Sequence, residues 1–321
     1  MIIVPEKEIA GLMTRQASFD AVEGVFASMS KRTAYNFPVI REAIGHADAL
    51  YGFKSGFDRA ALNLGLKSGG YWPGNAAKGL TNHQSAIMLF DAETGKLRAV
   101  VGGNLLTALR TASAAAVSVA HLARKDAKVL GIVGAGHQAT FQMQAVAEQR
   151  DFDSVVAWNR TPEKLASLAA KAAEIGLPFE AVSLDELGAQ SDVIVTITSS
   201  FDAILKATQV KAGSHIACMG TDTKGKQEVD AALIARATLF TDEIAQSITI
   251  GECQHAIADA LIQQSDIAEL GAVINGQHKG RTSAGEITLF DGTGVGLQDL
   301  AVASAVVDLA VEKGVAMDVD F

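Results

Sequence analysis

A glycine-rich turn set between a short apolar strand and a helix constrains this chain more than any other feature. Lys128–Val133 is a strand-length apolar run, Gly134-Ala135-Gly136-His137-Gln138-Ala139 is a tight turn, and Thr140–Gln149 has a helical pattern. In such a turn the two glycines let a pyrophosphate approach the first amides of the helix, and the small Ala139 lets helix and strand pack closely. A second strand, Ser154–Trp158, follows at the distance of a βαβ unit. The alternation continues through a helix near Pro162–Ile175 and strand-like runs at Glu180–Val182, Asp192–Ile197 and Ser214–Cys218. This pattern predicts an α/β fold built on a doubly wound parallel sheet of the Rossmann kind, with a dinucleotide as ligand.

The first 120 residues read differently. Ser85–Phe90 and Ala99–Val101 flank the turn Glu93-Thr94-Gly95-Lys96, which predicts a β-hairpin. An alanine-rich helix, Thr107–Ala123, leads into the dinucleotide unit, and an apolar helix, Leu297–Val315, closes the chain. The expected organisation is therefore a smaller α+β substrate and dimerisation domain over 1–120, completed by a C-terminal helix over 300–321. The dinucleotide-binding domain spans 121–299.

With 321 residues, 49% of them hydrophobic, the chain can bury a sizeable core. A net charge of −9 argues against nucleic acid or an anionic membrane as partner and in favour of a small molecule. The two cysteines, Cys218 and Cys253, have neither disulfide-framework nor thiolate-zinc spacing. No signal peptide is visible, and no uncharged apolar run approaches the roughly 18 residues that span a bilayer. A cytoplasmic protein without a metal is the expectation. His83 and His137 lack partners at metal spacing, and Glu252-Cys253-Gln254-His255 reads as ordinary helix sequence.

Three sets of residues carry chemistry. Asn159-Arg160-Thr161 ends the second strand, where an NAD enzyme often places an acid on the ribose; Asn159 can still bond a ribose and Arg160 can meet a 2′-phosphate. Met219-Gly220-Thr221-Asp222 follows a strand and so falls on the carboxyl edge of the sheet, where such folds bind ligands. Lys67, among glycines and apolar residues, and Arg110, in an otherwise apolar helix, are charges that must be paired internally or bind an anion.

Together these segments resemble the ornithine cyclodeaminase/μ-crystallin family of nicotinamide-dependent imine and amino-acid enzymes. The resemblance runs through Gly65-Leu66-Lys67, Asn82-His83-Gln84, Gly103-Asn104 to Arg110-Thr111, the Gly134–Gln138 turn, Trp158–Thr161, Met219–Glu228 and Phe290-Asp291-Gly292. It implies a homodimer whose first domain opens a cleft onto the Rossmann domain. Lys67 is then the acid/base at the reacting nitrogen, with Asp222 as a second catalytic residue, and Arg41 and Arg110 hold a substrate carboxylate. Thr111, Gly134, Gly136, His137, Gln138, Asn159, Arg160, Ser199, Met219, Gly220, Thr221, Asp222 and Gly292 match cofactor positions.

Gly292 stands where cyclodeaminases carry serine, which speaks against cyclodeamination. The segments Gly69–Pro73, His215–Asp222 and Thr249–His255 are similar to those of family members that reduce iminosuccinate to L-aspartate with NADH. The activity implied is thus NADH-dependent reduction of a dicarboxylate imine, with NADP also accepted through Arg160. Ornithine cyclodeaminase and alanine dehydrogenase activities are the enzymatic alternatives, and a non-enzymatic ligand binder like μ-crystallin is the alternative of another class. One substrate carboxylate falls to the arginines; Lys67, His83 or the amides of Ser68-Gly69-Gly70 are candidates for the other.

Overall fold

The computed structural model describes residues 1–321. It divides into two units, Met1–Arg110 with Val295–Phe321, and Thr111–Gly294. The alanine-rich helix shows no break in its sequence, so sequence reading places a boundary at 120; the division instead falls inside the helix, at Arg110.

The first unit opens with β1 (Ile2–Val4), α1 (Glu6–Leu12) and α2 (Arg15–Ser30). It continues through β2 (Ala34–Asn36), β3 (Ile40–Ala43), β4 (Leu50–Asp58), β5 (Asn63–Tyr71), β6 (His83–Phe90) and β7 (Leu97–Gly102) into α3 (Asn104–Leu122). The expected hairpin is β6–β7, antiparallel, and its turn is held by Asp91, whose carboxylate accepts from the backbone N–H groups of Glu93 and Thr94 and from the Thr94 hydroxyl. Gly95 takes the left-handed conformation the turn requires, φ +72°. The Gly65–Tyr71 segment, read from sequence only as glycine-bounded, lies within β5 and pairs antiparallel with β4 and β6. Glycine lowers strand propensity, but neighbours on both sides supply the ladder. The free N–H groups that open α3 find a carboxylate: Glu6 accepts from Asn104 and Leu105.

The second unit begins with β8 (Val129–Val133), α4 (His137–Ala147), β9 (Ser154–Trp158), α5 (Ala166–Glu174), β10 (Phe179–Ala181), α6 (Leu184–Gln190), β11 (Val193–Thr196) and β12 (His215–Cys218). It ends with α7 (Ala231–Arg236), β13 (Thr238–Thr241), α8 (Ile244–Ser247), α9 (Gln254–Ala258), β14 (Ile267–Glu269), α10 (Leu270–Ile274) and β15 (Thr288–Asp291). The sheet runs β10-β9-β8-β11-β12-β15-β13-β14, and every pairing in it is parallel. Strands on both sides of β8 put the reversal of strand order between β8 and β11, the usual position of a ligand crevice. The helix expected from Pro162 begins as a 3-10 turn, Pro162–Leu165, before α5.

The chain then returns to the first unit as α11 (Gly296–Glu312) and β16 (Met317–Asp318). That sheet runs β16-β1-β7-β6-β5-β4-β2, with β3 also on β4. Leu297, Leu300, Val306 and Val307 of α11 share a buried core with Val4, Ile87, Leu89 and Val101. Gly56 and Gly65 let α11 sit down on the sheet, for a Cβ there would come within 3.1 Å of Leu297 and 3.0 Å of Leu300. By length and composition alone α3 is apolar enough to cross a bilayer, but its residues are largely buried in the protein, as in a core helix.

Candidate active site

In the first unit, three elements bring one carboxylate and two cations together. Lys67 rises from β5, Arg110 from α3 and Asp299 from the first turn of α11, and all three are buried. Lys67 Nζ lies 2.9 Å from Asp299 Oδ1 and 2.8 Å from Oδ2, and also donates to Thr107 Oγ1 at 3.4 Å. Arg110 Nε donates to the same Oδ1 at 3.0 Å, and Nη1 donates to Gln298 Oε1 at 3.2 Å. The guanidinium is thus held by Asp299 through Nε and by Gln298 through Nη1. Gln298, its carbonyl spent on Arg110, has a buried Nε2 that meets no acceptor in the protein. A buried donor left this way costs about 1–3 kcal/mol, which an incoming carboxylate would relieve.

Burial, reinforced by the Arg110 charge and partly countered by Asp299, brings the Lys67 ammonium down to about 7. Burial works to raise the Asp299 carboxyl, but Arg110 and Lys67 outweigh it and hold it below the usual range. His83, on β6, is pushed down to about 3 by burial and then by Lys67 and Arg110, with Arg41 adding to the effect. At neutral pH the site therefore holds a lysine that can both give and take a proton, beside an uncharged imidazole bonded to Ser85 Oγ at 3.2 Å.

Strand register completes the site. Directly opposed residues of an antiparallel pair share a face. Arg41 on β3 opposes Gly52 on β4, Gly52 opposes Gly69 on β5, and Gly69 opposes Ser85 on β6. In the next row Lys54 on β4 opposes Lys67. The row from Arg41 to Ser85 thus crosses two glycines. A Cβ at Gly52 would fall 1.9 Å from the Ile40 carbonyl oxygen, and one at Gly69 2.4 Å from that of Gln84, so neither position admits a side chain.

The second unit supplies the dinucleotide features. Gly134 follows β8 at φ +111°, where a Cβ would lie 2.5 Å from the Ile197 carbonyl oxygen. At Gly136, the N-cap of α4, nothing stands within 4 Å of where a Cβ would be, and no side chain caps the helix. Open space over uncapped helix amides is what a pyrophosphate needs, and Ala139 beneath is fully buried as the close packing demands. His137 is exposed beside this space, and Gln138 Oε1 is buried without a partner. At the end of β9, Asn159 donates to the Thr161 carbonyl at 2.7 Å, which leaves its own carbonyl to accept from a ribose hydroxyl, while Arg160 is exposed. Gly292 packs on Met219: a Cβ would come 2.6 Å from its sulfur, so a serine would force Met219 to move.

Behind this edge lies a group of buried acids that the sequence does not reveal. Glu228 accepts from Thr196 Oγ1, from Thr198 N and Oγ1, and from Gly220 N, so one carboxylate ties the loops after β11 and β12 together. Glu252 accepts from the Thr221 hydroxyl and from the Glu228 and Val229 N–H groups, and Asp291 from Ser247 and Cys253 N. Burial, then the neighbouring Glu228, pushes Glu252 up to about 8, and burial takes Asp291 to about 7. Glu252 is therefore a buried structural acid ahead of α9, not part of an ordinary helix. Asp222 pairs with Lys226 at 2.8 Å on the same loop, and Ser199 is exposed after β11.

Comparison with known proteins agrees with this chemistry over the whole length. The profile of the ornithine cyclodeaminase/mu-crystallin family matches residues 3–314. The chain belongs to that family. It is 65% identical over 320 residues to the iminosuccinate reductase of Paracoccus denitrificans, covering 100% of both chains. The crystal structure of the iminosuccinate reductase of Paracoccus denitrificans in complex with NAD+ superposes with a TM-score of 0.96 at 64% identity, covering 100% of this chain and 99% of that one. An archaeal alanine dehydrogenase, a dimer with bound NAD, superposes with a TM-score of 0.94 at 31% identity over 100% and 99% of the two chains.

The structure brings Lys67 and Arg110 together and places Arg41 on the same sheet face, whereas Thr111 and the other residues matched to the family's cofactor positions belong to the second unit. Sequence reading missed Asp299, Gln298 and Lys54. Gln298-Asp299 lies in a helix whose apolar pattern is its obvious feature, and the signal available was an acid inside that pattern, the partner that Lys67 and Arg110 demanded.

Proposed function

We propose that this protein reduces iminosuccinate to L-aspartate with NADH. The observation that carries the reading is the Lys67–Asp299–Arg110 cluster: a lysine brought to about 7 beside a buried guanidinium that shares its carboxylate. The 65% identity to an iminosuccinate reductase supports it. The α-carboxylate lies on the Nη edge of Arg110 and the Gln298 amide, with Arg41 as a further cation on the same face. Lys67 donates a proton to the imine nitrogen, because a C=N carbon becomes a good hydride acceptor once its nitrogen is protonated. Bound NADH supplies the hydride to that carbon, and a second proton from solvent leaves the product as an ammonium. Asp299 keeps Lys67 and Arg110 in place and fixes which face of the imine is presented.

The dinucleotide is held by the turn of Gly134 and Gly136 with His137 and Gln138, by Asn159 at the ribose, and by Thr111, Ser199, Met219, Gly220, Thr221, Asp222 and Gly292. Asp222 serves beside Lys226 as the second acid of the site. Arg160 gives the enzyme a donor for a 2′-phosphate and hence tolerance of NADP. A sheet face rich in cations suits a dianion and disfavours ornithine, whose second ammonium would meet Lys54 and Lys67. A homodimer fits the exposed apolar residues Tyr35, Phe37, Ile40 and Ile44 near the sheet edge of the first unit, and the archaeal relative is a dimer. A cytoplasmic setting agrees with two free, buried cysteines.

The test is NADH oxidation with iminosuccinate, with the imines formed from pyruvate and from glyoxylate with ammonia, and with ornithine plus NAD+ in the reverse sense. Iminosuccinate should give the highest kcat/KM, with L-aspartate as product; equal turnover of a monocarboxylate imine would sink the dicarboxylate assignment. Sedimentation analysis should show a dimer.

A further inference from the structure

We propose that Thr107, Ser85 and His83 form a relay that carries protons from solvent to Lys67, restoring the one this lysine gives to the substrate; the inference rests on the imine-reductase reading above. Each turnover consumes two protons and one hydride: a proton joins the imine nitrogen, the hydride from NADH forms the new C–H bond, and a second proton turns the amine into an ammonium. Lys67 ends each transfer uncharged and must be refilled before it can give again. It is buried, and bound substrate keeps bulk water from its Nζ. Two groups lie in hydrogen-bond reach of that atom, Asp299 and Thr107. Despite burial, Arg110 and Lys67 hold Asp299 below the usual carboxylate range, so at neutral pH it has no proton to pass. The Thr107 hydroxyl has one.

From there the polar atoms continue outward. Lys67 Nζ on β5 meets Thr107 Oγ1 on α3 at 3.4 Å, Thr107 Oγ1 meets Ser85 Oγ on β6 at 3.5 Å, and Ser85 Oγ meets His83 Nε2 at 3.2 Å. Ser85 and His83 are two residues apart on one strand and so share its face. Asn104 ties that strand to α3, its Oδ1 accepting from Ser85 N at 2.8 Å and its Nδ2 donating to Gln84 Oε1 at 3.1 Å. Lys67 and Thr107 are buried while Ser85 and His83 are half-buried, so the chain of groups leads from the reacting nitrogen toward water. When Lys67 has given its proton, its free electron pair takes the Thr107 hydroxyl hydrogen, Thr107 takes that of Ser85, and Ser85 takes the one on His83 Nε2 while Nδ1 gains a proton from water. Every N–H or O–H bond broken is matched by one formed, and the imidazole is left as its other neutral tautomer, which exchange with water resets. Burial, then Lys67 on β5 and Arg110 on α3, with Arg41 on β3 adding and Asp299 on α11 opposing, keep this ring uncharged, so it passes a proton rather than storing one. Discharge of Lys67 removes one of those repulsions at the moment a proton has to enter.

The experiment compares reduction of iminosuccinate and of the pyruvate imine by the unmodified enzyme, His83→Ala, Thr107→Val and Thr107→Ser, each in H2O and in D2O. His83→Ala and Thr107→Val should lower kcat about 10- to 100-fold, the low end of the scale for a lost proton transfer, with little change in KM or in NADH affinity. In both, the solvent deuterium isotope effect on kcat should exceed that of the unmodified enzyme, because refilling Lys67 has become the slow step. Imidazole added to the buffer should raise kcat of His83→Ala in a saturable way and leave Thr107→Val unchanged, since there the break lies between the ring and Lys67. Thr107→Ser, which keeps the hydroxyl, should retain most of the activity. A His83→Ala enzyme with unchanged kcat, one whose loss sits in KM, or one whose loss neither responds to imidazole nor enlarges the isotope effect overturns the relay. An unmodified enzyme that reduces neither imine refutes the reductase reading and the relay with it, whereas an active enzyme with unaffected variants refutes the relay alone. Melting temperatures control for folding, and if His83→Ala does not fold, Ser85→Ala against Ser85→Thr carries the same comparison of kcat and isotope effect.

Discussion

The two units bury charge in opposite ways. In the first, Lys67 and Arg110 share the carboxylate of Asp299, and Gln298 is left with a donor that nothing accepts. In the second, Glu228 and Glu252 are supplied with N–H and O–H donors by the loops they hold. Burial drives both kinds of group toward neutrality, lowering the lysine and raising the acids. What separates a site for a ligand from a structural brace is what the chain leaves unsatisfied. The cation cluster asks for an anion from outside, and Glu228 asks for nothing further.

The largest effect should come from removing the proton donor of the first cluster. Lys67→Ala should lower kcat by roughly 10²-fold or more, while calorimetry shows NADH binding little changed; near-normal turnover would remove Lys67 from the mechanism. In the unmodified enzyme, kcat/KM should fall as pH rises through about 7, where Lys67 loses its proton. Next in size, Arg110→Lys should raise KM for iminosuccinate about tenfold, since a point charge reproduces neither the planar fork nor the paired contacts to Asp299 and Gln298.

A smaller effect tests the contrast itself through the pH dependence of melting. Glu252 is raised to about 8 from an ordinary 4.5, so between those values the folded state holds a proton that the unfolded state has released. Its contribution to stability is therefore present at low pH and lost as pH rises toward 8. Lys67 is lowered to about 7 from 10.5, so the unfolded state binds the extra proton and stability rises over that window. Glu252→Gln should flatten the decline in melting temperature between pH 5 and 8, and Lys67→Met the rise above pH 7. Parallel slopes in both variants and the unmodified protein would erase the contrast. The smallest effect belongs to the cofactor edge: Asn159→Asp should shift kcat/KM toward NADH over NADPH by roughly tenfold or less, through one added charged contact to the ribose.

Local pattern made the second unit legible. Gly134, Gly136 and Ala139 act within one turn, and short apolar strands at βαβ spacing announce a parallel sheet, so the chemistry and the spacing lie in contiguous residues. The first unit resisted because its site is assembled across strands and from far along the chain. Arg110 and Asp299 are 189 positions apart, and Arg41 reaches the face of Lys67 only when β3, β4 and β5 are in register.

By itself, the sequence determined the strand–turn–helix of the dinucleotide unit and the need of two isolated cations for a partner, because propensity, glycine geometry and the cost of a buried charge are properties of local composition. Only the tertiary structure decided which carboxylate answers Lys67 and Arg110, that the strand row from Arg41 to Ser85 crosses two glycines, and that Glu228 ties two loops together. Those outcomes depend on strand register and on the seating of α11 over Gly56 and Gly65. Both are set by the packing of surfaces far apart in sequence, and a one-residue slip in strand register would send the same side chains to the opposite face.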